Sequence, residues 1–165
     1  MKQVGIVLGS KSDMEIAEKA IGILRQFEVP FEVRILSAHR CPEEAKEYAS
    51  AAREGGFSVL IAFAGMAAHL AGALAANTTL PVIGVPCKGS CFDGLDALLS
   101  TVMMPSGIPV ATVAVNGGAN AALLAIEMMS IEDALLAEKL AVYRKKQTAS
   151  VLEADKEINA KYKAN

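Results

Sequence analysis

The sequence predicts an α/β domain: a three-layer αβα sandwich whose middle layer is a five-stranded parallel sheet. Three observations carry this. Short apolar runs recur at residues 4–8, 31–36, 57–64, 81–86 and 109–115. Each opens onto a polar or glycine-containing stretch, and each such stretch leads into a segment with small apolar residues at helical spacing. Strand–helix alternation of this kind returns the chain to the same edge after every helix, so the strands run parallel and both sheet faces are covered.

The first run, Val4-Gly5-Ile6-Val7-Leu8, lacks strict polar alternation, as expected of a parallel strand buried on both faces. Gly9-Ser10-Lys11-Ser12-Asp13 ends it, and Ser12 or Asp13 is expected to cap the next helix, whose apolar stripe is Ile16, Ala20, Ile23, Leu24 and Phe27. A second strand at 31–36 leads through Ser37-Ala38-His39-Arg40 into a helix over about 42–54, with Pro42 and two acids in its first turn and Gly55-Gly56 at its end. Ala45, Tyr48, Ala49 and Ala52 supply its buried face. A third strand at 57–64 precedes Gly65-Met66-Ala67-Ala68-His69-Leu70 and a small-residue helix ending near Asn77. A fourth follows at 81–86, with its prolines at the ends. The polar stretch 87–94 is expected to be mobile, and a helix is expected over 96–103. A fifth strand at 109–115 and a helix over about 119–129 complete the alternation, after which Ser130 is the expected cap of a helix from Ile131 towards Lys146. The polar tail, residues 151–165, reads as a helical or frayed extension of a single domain over 1–150. The expected strand order is 2-1-3-4-5, the flavodoxin-like arrangement, because it creates a switch point beside the first loop, where open α/β sheets collect ligands.

The 165-residue chain is 53% hydrophobic with few aromatics, and a surplus of small apolar residues favours close helix packing and subunit interfaces. A formal charge of −2 and the lack of a basic patch with interleaved aromatics argue against a polymeric nucleic-acid partner. Arg144-Lys145-Lys146 reads as a solvated helix face. Cys41, Cys87 and Cys91 form no CxxC pair, so neither a disulfide framework nor a metal site is expected, and a reducing cytoplasm is the natural compartment. No apolar run is long enough to span a bilayer, and the first strand begins too early to leave room for a signal peptide.

The chemistry gathers at the ends of the first three strands. Ser37, His39 and Arg40 bring together a hydroxyl, a titratable imidazole and a fixed cation. Imidazole works as an acid and a base near neutral pH, so a phosphate-bearing ligand held by Ser and Arg while a histidine moves a proton is the leading reading. A neutral structural histidine is the alternative. Gly9 offers an unhindered backbone while Ser10 and Ser12 set hydroxyls beside exposed helix N–H groups, an arrangement suited to an anion but equally to ordinary turn chemistry. Asp13 is either an acceptor for two ribose hydroxyls or a helix cap. His69, the second of two histidines, bonds a ligand or organises its loop. Asp93 and Asp96 lack a convincing third metal ligand. Cys41, two residues from His39, is weak grounds for covalent catalysis.

The words Gly9-Ser10-Lys11-Ser12-Asp13, Ser37-Ala38-His39-Arg40, Ala67-Ala68-His69-Leu70 and Met104-Pro105-Ser106-Gly107-Ile108-Pro109-Val110-Ala111-Thr112 stand in the order in which the PurE family carries them. The resemblance covers about residues 3–150. Within that family, Arg40 together with His69 resembles the branch of mutases that convert N5-carboxyaminoimidazole ribonucleotide to its C4-carboxylated isomer. The other branch, direct carboxylation by free carbon dioxide, tends to carry Lys at the position of Arg40 and to lack the second histidine. The resemblance implies no organic cofactor or metal and a cytoplasmic homo-octamer. It implies that His39 is the general acid and base with His69 as an accessory, and that Ser12, Ser37 and Arg40 hold the phosphate. Asp13 would hold the ribose, and Ser10, Gly65, Ala67 and Ala68 would line the carboxylate side. Cys41, Met66 and Ala71 depart from the family's usual Thr, Gly and Pro, and Met66 adds bulk beside the carboxylate side.

Overall fold

A computed structural model describes residues 2–89 and 91–163 of the chain. Ser90, within the stretch expected to be mobile, and the last two residues of the polar tail lie outside the described residues. The elements are β1 (Gln3–Leu8), α1 (Met14–Gln26), β2 (Phe31–Ile35), α2 (Pro42–Ala51), β3 (Phe57–Gly65) and α3 (Leu70–Ala75), followed by β4 (Val82–Cys87), α4 (Leu95–Val102), β5 (Ala111–Thr112), α5 (Gly118–Ser130) and α6 (Ala134–Tyr162). The strands form one parallel sheet in the order β2-β1-β3-β4-β5, as the sequence predicts.

Side chains alternate across the sheet and build two cores. Val4, Ile6 and Leu8 of β1 with Val59, Ile61 and Phe63 of β3 pack under the small residues of α1 and α5 and against Leu136 and Leu140 of α6. On the opposite face Val7, Leu60, Ala62 and Val82 meet Ala45 and Ala49 of α2 and Leu70, Ala71 and Leu74 of α3. Small residues let these helices sit almost on the backbone. A Cβ at Gly84 would come within 2.3 Å of Thr101 Cγ2 on α4, and one at Gly118 within 2.4 Å of the Ile16 carbonyl oxygen on α1.

Two local expectations are corrected and two are sharpened. Asp13 stands at the N-cap of α1, one of the two residues expected there, but its side chain bonds none of that helix's N–H groups; Ser10 caps the 3-10 turn of residues 11–13 that precedes it, its side chain accepting from the Ser12 N–H while Asp13 Oδ2 accepts from the Ser10 N–H at 3.0 Å. The fifth strand has two residues, not seven. Ala111 and Thr112 pair with Ile83 and Gly84, and the Val113 N–H reaches the Gly84 carbonyl at 3.1 Å. The chain then turns at Asn116 (φ 58°), whose N–H reaches the Pro86 carbonyl at 2.8 Å. Pro109, with no N–H, contributes no ladder donor at the strand's start. Ser130 ends α5, its hydroxyl donating to the Glu127 carbonyl at 2.7 Å. The cap of α6 is instead Asp133, whose Oδ1 accepts from the N–H groups of Leu135 and Leu136. The polar tail, expected to be helical or frayed, is helical as far as Tyr162. It continues α6, a helix of 29 residues of which Leu136 and Leu140 are the buried members. Arg144 pairs with Glu127 and ties the start of this helix to α5.

Candidate active site

The loops after β1, β2, β3 and β4 open at the same edge of the sheet, because parallel strands all deliver their carboxyl ends there. They enclose a cavity of about 540 Å³. The first loop contributes Gly9, Ser10, Ser12 and Asp13, and the second Ser37, Ala38, His39 and Arg40. The third contributes Gly65, Met66 and Ala67, and the fourth Lys88 and Gly89.

His39 lines the cavity and meets His69, thirty positions away and not itself among the lining residues: His39 Nε2 lies 2.9 Å from His69 Nδ1, with the rings nearly perpendicular at 86°. One nitrogen must donate and the other accept, so the contact holds a single proton between two rings. The loop after β2 carries His39, and His69 stands at the N-cap of α3. The contact ties the loop after β2 to the start of α3 at the edge of the cavity.

Arg40 braces the first two loops. Its Nη2 donates to the Gly9 carbonyl at 2.8 Å and its Nε to Ser37 Oγ at 3.3 Å, which still leaves guanidinium donors for a ligand. The Ser12 hydroxyl lies 3.1 Å from Ser10 Oγ, so a pair of hydroxyls faces the same corner. Asp13 is buried, and that burial pushes its carboxyl above the ordinary value of 3.8, opposed by the Ser10 N–H, the Cys87 thiol and the Arg40 charge. Cys87 is pushed up to about 12, first by burial and then by the neighbouring Asp13 charge, so it stays a thiol.

Cys41 is the N-cap of α2. Its sulfur donates to the Ser37 carbonyl at 3.3 Å and accepts from the Ser37 N–H at 3.0 Å, which fixes the turn that aims His39 and Arg40. Ala68, expected on the carboxylate side, lies behind the wall: it is buried, and its carbonyl accepts from the Thr101 hydroxyl at 3.4 Å. Met66 lines the cavity, 71% exposed and with a left-handed backbone (φ 54°). Lys88 and Gly89 escaped the sequence reading, as did the apolar lining residues Ala64 and Leu70. The signal available for the first two was their place directly after a strand end, which a polar loop without a motif obscures.

Residues 3–150 match the family described as AIR carboxylase. The chain is 54% identical over 144 residues to the N5-carboxyaminoimidazole ribonucleotide mutase of Pyrococcus abyssi, a match covering 87% of this chain and 83% of that protein. It is 51% identical over 149 residues to the phosphoribosylaminoimidazole carboxylase of Saccharomyces cerevisiae, covering 90% of this chain but 26% of that longer protein. The fold is similar to the crystal structure of Treponema denticola PurE, with a TM-score of 0.84 and 32% identity over 99% of this chain and all of that one. The match spans the whole sheet and every loop of the cavity, from β1 to the helix after β5: the chain belongs to the AIR carboxylase family.

Proposed function

We propose that the chain is an isomerase of purine biosynthesis that moves the carboxyl group of N5-carboxyaminoimidazole ribonucleotide from the exocyclic nitrogen to C4. The observation that carries this reading is the His39–His69 pair at the strand ends, beside the Arg40 guanidinium and the Ser10, Ser12 and Ser37 hydroxyls.

The phosphate sits against Ser12, Ser37 and the spare donors of Arg40, and Asp13 accepts the ribose hydroxyls. The carboxylate lies towards Ser10, Gly65 and Ala67, with the buried Ala68 supporting that wall from behind. His39 starts protonated. The bond between the exocyclic nitrogen and the carboxyl carbon breaks, its electron pair returns to nitrogen, and His39 gives that nitrogen its proton. The electron-rich ring then attacks the retained carbon dioxide through C4, and His39 removes the C4 proton. It ends as it began, so no net proton, electron or cofactor is required. His69 keeps the ring of His39 oriented between the two acceptor atoms. Holding carbon dioxide against C4 replaces recapture from solution, the main kinetic gain of such a cavity. Neutral hydroxyl and backbone donors steady the shifting carboxylate charge.

Direct carboxylation of aminoimidazole ribonucleotide by free carbon dioxide is the second reading, favoured by the carboxylase relative. Measuring product from N5-carboxyaminoimidazole ribonucleotide against that from the uncarboxylated nucleotide with bicarbonate separates the two. Faster turnover of the second would overturn the mutase reading. The chain works as a homo-oligomer, an octamer on the family pattern, with Phe92, Leu95, Leu99, Val102 and Met103 forming an exposed apolar face along and beside α4 for a neighbouring copy. No helix among the described residues is long and apolar enough to cross a membrane. Cysteines without disulfides suit the cytoplasm.

A further inference from the structure

We infer that Lys88 is the cation that receives the substrate's carboxylate, a contact from the loop after β4 that separates carboxylated from uncarboxylated nucleotide. The inference rests on the functional reading above and adds a residue to it.

The main chain at Lys88 is fixed. Its N–H donates to Asn116 Oδ1 at 2.8 Å, and the Asn116 N–H donates to the Pro86 carbonyl, also at 2.8 Å. Asn116 holds the left-handed conformation that asparagine tolerates better than most residues (φ 58°), so one side chain from the β5–α5 loop pins the point where β4 leaves the sheet. The Lys88 side chain is held far less firmly. Its Nζ pairs with Asp93 Oδ1 at 2.9 Å, and both side chains are exposed, at 56% and 82%. An exposed ion pair contributes little and exchanges readily for another anion.

Position and charge decide which anion. Among the described residues, Arg40 and Lys88 are the cations lining the cavity and Asp13 is its lining acid. Arg40 is tied to Gly9 and Ser37, in the loops after β1 and β2. Lys88 comes from the opposite side, and its neighbour Gly89 adjoins the Gly65–Met66 wall, a Cβ built there standing 3.8 Å from Met66 Cγ. A substrate with a phosphate at one end and a carboxylate at the other presents two anions to two walls, with one cation for each. The residue types fit as well. Arginine's rigid fork suits a stationary phosphate, whereas a compact ammonium on a flexible stem follows a carboxylate that changes position. Neutral carbon dioxide offers that ammonium no partner, so the contact acts on the carboxylated ground states and sets affinity more than turnover.

Calorimetric titration of the purified protein with the C4-carboxylated nucleotide and with aminoimidazole ribonucleotide tests this. Lys88→Met should weaken binding of the carboxylated ligand about tenfold or more, the scale of one charge-assisted hydrogen bond, and leave the uncarboxylated one within about twofold. Asp93→Asn, which frees Lys88, should tighten the carboxylated ligand alone. Equal weakening of both ligands, or of neither, by Lys88→Met would overturn the assignment of Lys88 while the mutase reading stood. If the unaltered protein bound neither nucleotide, the functional reading would fall and this inference with it.

Discussion

At the residue scale the site is two imidazoles sharing one hydrogen bond, and the chemistry assigned to each is separable. His39→Asn keeps a polar side chain in an exposed loop, so the fold and nucleotide affinity should persist while isomerisation falls by at least about a thousandfold, the upper range for loss of a general acid–base. Near-normal turnover by a folded H39N protein removes His39 from the mechanism. Asp13 gives a prediction with a sign. Its carboxyl titrates above 3.8 when folded, so between that value and the raised one the native state binds a proton that the unfolded chain does not. Stability therefore declines as pH rises through this window, and the loss stays in full above it. Asp13→Asn keeps an oxygen for the Ser10 N–H and removes the buried charge. It should melt at a higher temperature than the parent protein at pH 7, with the gap closing as pH falls below 3.8, while nucleotide affinity drops. A lower melting temperature at pH 7 would show that the charge is held by partners rather than penalised by burial.

At the scale of elements, glycines set how closely helices lie on the sheet and on each other. At Gly118 an added methyl meets the backbone oxygen of Ile16, which cannot rotate away, so α1 and α5 would have to separate. Gly118→Ala should cost about 3 kcal/mol, read as a fall of roughly 6–12 °C in Tm. Gly22 lies in α1 with nothing within 4 Å of its Cβ position, and Gly22→Ala should instead stabilise by about 0.5–1 kcal/mol through helix propensity. Opposite signs for one substitution in two helices would be missed by any account based on glycine alone. Pattern along the chain locates these helices but not their ends. Ser130 and Asp133 are both good caps, and the choice went to Asp133 because α5 keeps its helical path through Ser130.

For the whole molecule, the isolated chain leaves an apolar face unspent. Leu95, Leu99 and Val102 recur at helical spacing on α4 and are all exposed, while Ala97 and Thr101 on its other side are buried. Leu99→Glu should leave the fold intact and shift the sedimenting species to a smaller mass, because a charge in an apolar contact is costly. An unchanged mass would move the interface away from α4. The distal half of α6 is likewise exposed at Val151, Leu152, Ile158 and Tyr162, so a chain ending at Ser150 should retain its melting transition, its buried anchors Leu136 and Leu140 being kept.

Local chemistry settled much of this protein before any coordinates. Runs of apolar residues divided by Gly, Ser and Asn prescribe parallel strands and crossover helices, since burial and backbone hydrogen bonding leave no other economical arrangement. The same turns name Ser37, His39 and Arg40 as a strand-end group. What tertiary structure alone decided is which distant groups share a boundary. It joined His39 to His69, set Lys88 on the wall opposite Arg40, moved Ala68 behind the cavity and fused the polar tail to α6. Those outcomes depend on how loops from separate crossovers converge in space, and no spacing within a single segment encodes that distance.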